Sequence, residues 1–403
     1  MTATGTTRRA AALAAPVLAG LLLAVLPSPA SAVAPAAGSE VGGPRAEALR
    51  AAIAPRAGDP VAGTVARVSV DGSTWRGGQD DRVSGRPVAP NASFRIGSIN
   101  KPFVAVVLLQ LAAEHRIDLD GTVQQYLPGV LPDAFRPVTV RQLLNHTSGL
   151  PQAVEGVQGS DRDAVIARRF EVQTLDQVIG WTLRPADRPW PGPSFAPGSA
   201  QEYNNFNYRL AGRIIEQVTG HSFRTELTAR VLRPLGLRHT EVTEGAPQMP
   251  SPHLNGYLAD GAGTPVDVSE QGGNPESMVS TPADLDRFLR ALLDGELLPP
   301  QQEHDLLALP RDAAGRPVPS LTPGDCRFGP DKGLACYSAG LMGIPLQDGT
   351  VAWGKTGHDL GYSNGFFASA DLSRRLVYST GDSGITPAPS LRLAAVVFGP
   401  FAG

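Results

Sequence analysis

The chain has only three lysines among its 35 lysine and arginine residues, and two of them lie at spacings that could support chemistry. Lys101 stands three residues after Ser98, and Lys355 opens the tripeptide Lys355-Thr356-Gly357. Unlike arginine, lysine can lose its proton near neutral pH when its surroundings lower its pKa. A neutral amine beside a serine hydroxyl can act as a base. Ser98 is therefore the candidate nucleophile, with Lys101 as the candidate base.

A tyrosine and an amide side chain could complete such a site by relaying the proton and holding the substrate. The sequence offers this pattern twice, at residues 203–205 (YNN) and at residues 362–364 (YSN). In the first segment, Tyr203 would shuttle the proton and Asn205 would bind a substrate amide. Whether Lys101 or Tyr203 is the main base stays open.

The segment after Ser98 predicts how these groups are positioned. Residues 98–113 are mostly apolar, which predicts a long buried helix that begins at Ser98. Residues three apart lie on one face of a helix, so Ser98 and Lys101 would point into one cleft. The positive end of the helix dipole and the charge of Lys355 would both lower the pKa of Lys101. In a protein without catalytic activity, Ser98 would simply cap the helix.

The hydrophobic pattern predicts an α/β (α+β) fold. Strand patterns occupy residues 61–70 and the region after residue 336, whereas helices separated by Pro-rich and Gly-rich loops fill the middle of the chain. This order predicts an antiparallel sheet built from N-terminal and C-terminal segments, flanked by helices, with an inserted helical lobe. We place the α/β lobe at residues 45–117 and 265–403, and the helical lobe at residues 118–264.

The first 32 residues have the composition of a signal peptide. Two arginines precede an apolar run, and residues 30–32 (ASA) offer a small-residue cleavage site. A secreted protein is predicted, with a flexible leader at residues 33–44 before a catalytic domain at residues 45–403. General secretory and twin-arginine export both stay open, as does an uncleaved anchor. No later apolar stretch predicts a membrane span, so no membrane contact is expected after signal cleavage.

The two cysteines, Cys326 and Cys336, are predicted to form a disulfide in an exported chain. No histidine joins them at the spacing of metal ligands, so no metal site is predicted. The net charge of −3 predicts no basic surface for nucleic acid. A monomer that needs no cofactor is expected.

Four segments together resemble the serine beta-lactamase and D-alanyl-D-alanine carboxypeptidase family. They are residues 94–103 (FRIGSINKPF), 143–151 (LLNHTSGLP), 203–205 (YNN) and 355–358 (KTGH). Ser-x-x-Lys with a later Lys-Thr-Gly is the mark of penicillin-recognising serine enzymes. The order of the motifs in this family selects Tyr203 over Tyr362. The chain resembles secreted actinobacterial carboxypeptidases and class C beta-lactamase relatives in particular, over most of residues 45–400.

The resemblance implies a beta-lactamase/transpeptidase-like fold and an acyl-enzyme on Ser98. The oxyanion hole would come from the backbone N–H groups of Ser98 and His358. Lys355 and Thr356 would hold a substrate carboxylate, and Gly357 would also belong to the substrate-binding residues. The implied activity is a D-Ala-D-Ala carboxypeptidase or a related D-amino-acid peptidase. Its substrate would be a peptidoglycan stem peptide or another small acyl compound, and beta-lactams would be acylating ligands.

Two departures from those carboxypeptidases loosen the substrate assignment. Lys355 stands where they carry histidine, and residues 337–346 lack the arginine that they recruit for the terminal carboxylate. The chain could instead be a class C-type beta-lactamase, an esterase, or a sensor that binds penicillin without turnover. Ser363 lies in a Gly-x-Ser-x-Gly pentapeptide, but a strand pattern follows it where a nucleophile elbow requires a helix. His146, in the second motif segment, is expected to brace a loop.

Overall fold

Both ends of the chain contribute strands to one antiparallel sheet in a computed structural model of this protein. The structure describes residues 39–399 apart from 60, 133–134, 155–160, 185–191, 275, 323–325, 327–330 and 383–387. The predicted signal peptide and leader residues 33–38 lie outside the described residues. The division of the remaining chain into two lobes stays a prediction.

The main sheet contains six strands in the described part of the chain. With those of two smaller sheets, the described strands are β1 (Val61–Val70), β2 (Ser73–Gln79), β3 (Phe94–Arg95), β4 (Glu241–Val242), β5 (Tyr257–Ala259), β6 (Pro265–Asp267), β7 (Met278–Ser280), β8 (Met342–Pro345), β9 (Val351–Asp359), β10 (Tyr362–Ser369) and β11 (Arg374–Asp382). The sheet order is β2-β1-β11-β10-β9-β8, and every neighbouring pair is antiparallel. β3, β7 and β4 form a small second sheet, and β5 pairs with β6. The predicted sheet from both termini is confirmed.

Helices flank the sheet and fill the middle of the chain. They are α1 (Gly43–Ile53), α2 (Asn100–Ala113), α3 (Val123–Tyr126), α4 (Val140–Leu144), α5 (Arg162–Ala167), α6 (Leu175–Leu183), α7 (Asn205–Thr219), α8 (Phe223–Leu227), α9 (Pro282–Leu293), α10 (Pro300–Leu307) and α11 (Ala388–Phe398), with a 3-10 turn at Gly97–Ile99 and a π-helical turn at Thr228–Leu232. The mixed α/β fold class is thereby confirmed.

Alternate residues of the sheet pack against different helices, because successive side chains of a strand point to opposite faces. Phe366 of β10 belongs to the core that contains α2 and α9, whereas its neighbour Phe367 packs with α1 and α11. Phe103 of α2 stacks on Phe288 of α9 with ring centroids 3.7 Å apart. Helix α2 is therefore buried between the sheet and the helices of the middle region, as its apolar sequence predicts.

The start of α2 differs from the prediction. The helix ends at Ala113 as expected but begins at Asn100, and Ser98 lies in the preceding 3-10 turn. Gly97 in this turn has φ of +51°, a left-handed conformation that glycine adopts without strain. Neither the turn nor the helix has a side-chain cap, so the view of Ser98 as a structural cap is wrong.

Two other element boundaries are shifted. The apolar periodicity of residues 207–218 predicts a helix that begins at Asn207. Helix α7 begins instead at Asn205, because Asn204 caps it by accepting a hydrogen bond from Phe206 N at 2.8 Å. The pattern of residues 337–344 predicts a strand over that whole range. The structure has only the shorter β8 there, which pairs with the first half of β9. The second half of β9, which carries Lys355-Thr356-Gly357, thus has no β8 residue opposite it.

Removal of Asp286 is expected to destabilise the fold. This buried carboxylate of α9 accepts from Arg67 Nε of β1 at 3.0 Å and from Arg375 Nε of β11 at 2.7 Å. Asp286→Ala leaves two largely buried guanidinium groups without this carboxylate and should lower the free energy of unfolding by about 3 kcal/mol. Urea unfolding monitored by circular dichroism measures this change. Asp294→Ala, which removes an exposed partner of Arg290, should change it by about 0.5 kcal/mol or less.

Among the described helices, none has both the length and the apolar character needed to cross a membrane.

Candidate active site

Ser98, Lys101 and Tyr203 come together, although Tyr203 lies far from the other two in sequence. Lys101 Nζ lies 3.1 Å from Ser98 Oγ, and Tyr203 Oη donates to Ser98 Oγ at 2.7 Å. Asn205 Oδ1, in the first turn of α7, accepts from Lys101 Nζ at 2.9 Å. The hydroxyl of Ser98 therefore has two candidate proton acceptors within hydrogen-bond distance, which is the geometry that nucleophile activation requires.

The ring of Tyr203 is close to both motif lysines. Lys101 Nζ is 5.2 Å and Lys355 Nζ is 4.7 Å from the ring centroid, within the range of cation–π contacts. Both lysine side chains are buried, at 4% and 2% exposure. Lys355 Nζ also donates to the carbonyl of Thr356 at 2.9 Å, and the Thr356 side chain is exposed. The site thus places two amines around one phenol.

Two glycines allow the Ser98 turn to touch strand β9. A Cβ at Gly97 would lie 2.3 Å from the carbonyl oxygen of His358, and a Cβ at Gly357 would lie 2.1 Å from that of Ile96. Any side chain at either position would force the two backbones apart. This close approach brings the backbone of Ser98 near that of His358, the pair of amides expected to form the oxyanion hole.

His146 braces the segment that carries Tyr203. Its carbonyl accepts from Glu202 N at 3.0 Å, and its Nδ1 accepts from Asn204 N at 3.1 Å. Its ring lies against the Tyr203 ring, with centroids 4.6 Å apart. Burial, and then the charges of Lys101 and Lys355, hold the pKa of His146 well below its ordinary value. The imidazole is therefore neutral, and with Nδ1 as acceptor its proton is on Nε2.

Loss of the His146 acceptor should reduce activity by misplacing Tyr203. His146 has φ of +60°, a conformation that asparagine tolerates better than alanine. His146→Asn retains a side-chain oxygen that can accept from Asn204 N, whereas His146→Ala does not. We expect kcat/KM to fall about 10-fold or more in the alanine variant and about 3-fold or less in the asparagine variant, a difference of about 0.7 kcal/mol or more. Equal losses in the two variants, measured at matched thermal stability, would contradict this role.

The predicted disulfide is confirmed and supports the same tyrosine. Cys326 and Cys336 are bonded, with Cα atoms 5.2 Å apart. They cluster with Tyr337, which in turn packs against Tyr203. Gln201 Oε1 accepts from the backbone N–H of Cys336 and of Tyr337, at 3.0 and 3.1 Å. The disulfide and Tyr337 therefore form part of the wall behind the candidate proton relay.

The rival motif residues have other places in the structure. Ser363 lies within strand β10, which continues to Ser369, so no nucleophile elbow is present at Ser363. Tyr362 is fully buried and donates to the carbonyl of Leu254 at 2.8 Å. The described residues contain no group of three or more histidine, cysteine or carboxylate side chains placed to hold a metal ion.

Sequence reasoning missed several residues near the site. Tyr208 Oη donates to the carbonyl of Leu144, and Lys101 Nζ lies 5.4 Å from the Tyr208 ring. Tyr208 lies three residues after Asn205 on the same helix, and this spacing was the sequence signal that could have identified it. Arg209 forms a buried ion pair with Glu276, whose carbonyl accepts from Asn100 Nδ2 at 3.1 Å. No local pattern indicated that pair, because its partners come from distant elements.

Comparisons with known proteins agree with one another on the protein family. A protein-family model described as Beta-lactamase matches residues 49–396. Esterase EstB of Burkholderia gladioli is 30% identical over 357 residues, which cover 80% of this chain and 86% of the esterase. A beta-lactamase of Pseudomonas fluorescens is 30% identical over 193 residues, or 48% of each chain.

Solved structures have the same fold. A D-stereospecific amidohydrolase from Streptomyces sp. is 30% identical with a TM-score of 0.70, over 88% of this chain and 97% of that one. A D-amino acid amidase from Ochrobactrum anthropi SV3 is 23% identical with a TM-score of 0.70, over 88% of this chain and 98% of that one, and indicates the fold alone. The resemblance inferred from the four sequence motifs is confirmed.

Proposed function

Because the chain belongs to the beta-lactamase family, whose members are serine hydrolases, we propose that it hydrolyses an amide bond beside a D-amino acid residue. D-Alanyl-D-alanine peptides are the first substrate class to consider. The observation that carries the proposal is the contact of Ser98 Oγ with both Lys101 Nζ and Tyr203 Oη. The similarity to a D-stereospecific amidohydrolase over most of both chains supports the choice of a D-configured substrate.

The proposed reaction proceeds through an acyl-enzyme. Lys101, with Tyr203, takes the proton of Ser98 as Oγ attacks the scissile carbonyl, and the backbone N–H groups of Ser98 and His358 stabilise the oxyanion. Tyr203 then passes the proton to the leaving amine, which departs as the ester of Ser98 forms. Water, activated by the same base, hydrolyses that ester and restores the serine.

Substrate binding is proposed to involve both sides of the cleft. Lys355 and Thr356 bind a carboxylate of the leaving group, and Gly357 permits the close approach of β9 to the Ser98 turn. Asn205 binds a substrate amide besides accepting from Lys101 Nζ. Since residues 337–346 contain no arginine, Lys355 would be the cation for that carboxylate in this part of the cleft.

Ester hydrolysis is the second candidate function. The supporting observation is the 30% identity to an esterase that aligns with 80% of this chain. Both reactions use the same acyl-enzyme, and they differ in the leaving group and in the need for a carboxylate partner. Class C-type beta-lactamase activity and penicillin binding without turnover would also begin with acylation of Ser98 but differ in the rate of deacylation.

One parallel experiment tests these functions. The purified protein is incubated with a D-Ala-D-Ala peptide, a cephalosporin and a short-chain p-nitrophenyl ester, with intact-mass and product analysis of each. The proposal expects release of D-alanine and a transient acyl adduct. Turnover of the ester or the cephalosporin alone would favour the other hydrolases, and a stable adduct without product would indicate a sensor. A protein that none of the three acylates would overturn acyl-enzyme chemistry at Ser98.

Secretion and a monomeric state complete the proposal. Cleavage of the predicted signal peptide would give a mature chain that begins near Val33, which N-terminal sequencing of the exported protein determines. Light scattering on that protein is expected to give the mass of one chain. Recovery of an uncleaved, membrane-bound form would contradict secretion.

A further inference from the structure

A polar cavity adjoins Ser98. Its volume is about 330 Å³, and Ser98, Lys101, Asn205 and His358 contribute to its wall. Neither Lys355 nor Thr356 lines it. If those two residues bind the leaving group, as proposed above, this cavity is the space left for the acyl part of the substrate.

Most charges along this cavity have a partner of opposite sign. Arg209 pairs with Glu276, and Glu171 accepts from Arg168 Nη2 at 2.7 Å. Burial lowers the pKa of Arg95, and the nearby carboxylate of Asp359 opposes part of this change. The opposite charges named here therefore largely cancel.

Arg169 is the exception. Within the ranges that the structure describes, it has no carboxylate within ion-pair distance. It lines the cavity that contains Ser98, and it is half-buried. Its buried Nε has no hydrogen-bond acceptor among the described residues. Arg169 therefore contributes a positive charge to the cavity wall, and only some of its N–H groups donate hydrogen bonds.

The structure also holds Arg169 in place before any ligand binds. Its Nη1 donates to the carbonyl of Ile166 at 2.7 Å, and its guanidinium carbon lies 4.2 Å from the centroid of the Phe170 ring. Its own carbonyl accepts from Gly272 N at 2.8 Å. A Cβ at Gly272 would lie 2.8 Å from the carbonyl oxygen of Glu171, so glycine permits this contact. A cation fixed in this way loses little side-chain entropy when it binds an anion.

We infer that Arg169 is a specificity-determining residue that binds an anionic group, such as a carboxylate, on the acyl part of the substrate. A planar guanidinium can donate two parallel hydrogen bonds to a carboxylate. A solvated surface arginine would not bind such a group selectively. The inference rests on the proposed acyl-enzyme at Ser98 but not on the identity of the leaving group.

Two esters of equal acyl length test this inference. p-Nitrophenyl adipate, a half ester with a free terminal carboxylate, is compared with p-nitrophenyl hexanoate, which lacks it. We expect the wild-type protein to prefer the adipate by about 10-fold in kcat/KM, equivalent to about 1.4 kcal/mol. Arg169→Gln should abolish this preference and leave hexanoate turnover within about 2-fold. The preference of the wild type should also decline with added salt.

Arg290→Gln is the matched control, because its exposed guanidinium pairs with Asp294 and neither residue lines the cavity. This variant should keep the preference for adipate. An unchanged preference in Arg169→Gln, an equal loss in Arg290→Gln, or no preference in the wild type would each overturn the inference. Those results leave the proposed function intact if a D-Ala-D-Ala peptide is still cleaved. Absence of acylation by both esters and the peptide would overturn the two together.

Discussion

Ser98→Ala should abolish both substrate turnover and covalent labelling by a fluorescent penicillin. The variant removes the oxygen that lies within hydrogen-bond distance of both Lys101 Nζ and Tyr203 Oη. Loss of a serine nucleophile typically costs several orders of magnitude, so kcat should fall about 10^4-fold or more. Because Ser98 caps no helix, its removal should leave the melting temperature nearly unchanged. Thermal denaturation of the variant checks that its inactivity is chemical.

Ser363→Ala is the control for this experiment. Ser363 belongs to the Gly-x-Ser-x-Gly pentapeptide, but it is a buried residue of β10, and its hydroxyl lies 3.4 Å from His358 Nδ1. This variant should still be labelled and should keep most of its activity. Persistent labelling of Ser98→Ala, or loss of labelling only in Ser363→Ala, would move the nucleophile to another residue.

The sequence predicted which side chains meet at the site better than it predicted the local backbone. Ser98 and Lys101 were identified from types and spacing, whereas the family resemblance selected Tyr203 and Asn205 over the second match at residues 362–364. The structure brings all four side chains together. Short motifs carry this information because each function requires a particular side chain. The 3-10 turn at Ser98 was not predicted, because it depends on contact between Gly97 and strand β9, which lies far away in sequence.

Long-range features were likewise outside the reach of pattern reasoning. The sheet was predicted from alternating strands at both ends, whereas its order required the pairing of β1 with β11. The support of Tyr203 by His146 and Tyr337 depends on packing between segments that are distant in sequence. Periodicity indicates which face of an element is buried, but it does not specify which element packs against that face.

Lys101→Arg should be almost as damaging as removal of the nucleophile, although the variant keeps a positive charge. An arginine remains protonated at any pH that the fold tolerates, so it cannot take the proton of Ser98. The longer planar side chain must also fit a site where Lys101 is only 4% exposed and contacts Asn205 Oδ1. Loss of a general base typically costs two to four orders of magnitude, and we expect kcat to fall about 10^3-fold.

Two further lysine variants separate loss of the base from loss of charge or packing. Lys355→Arg keeps a cation where only charge is proposed to be needed, so it should raise KM for a substrate with a carboxylate more than it lowers kcat. Lys332→Arg, at an exposed position, should behave as wild type. Full activity in Lys101→Arg would rule out Lys101 as the base and leave Tyr203 as the remaining group in contact with Ser98 Oγ. The scarcity of lysine is thus informative at Lys101 because neutral amine chemistry, unlike charge, cannot be supplied by arginine.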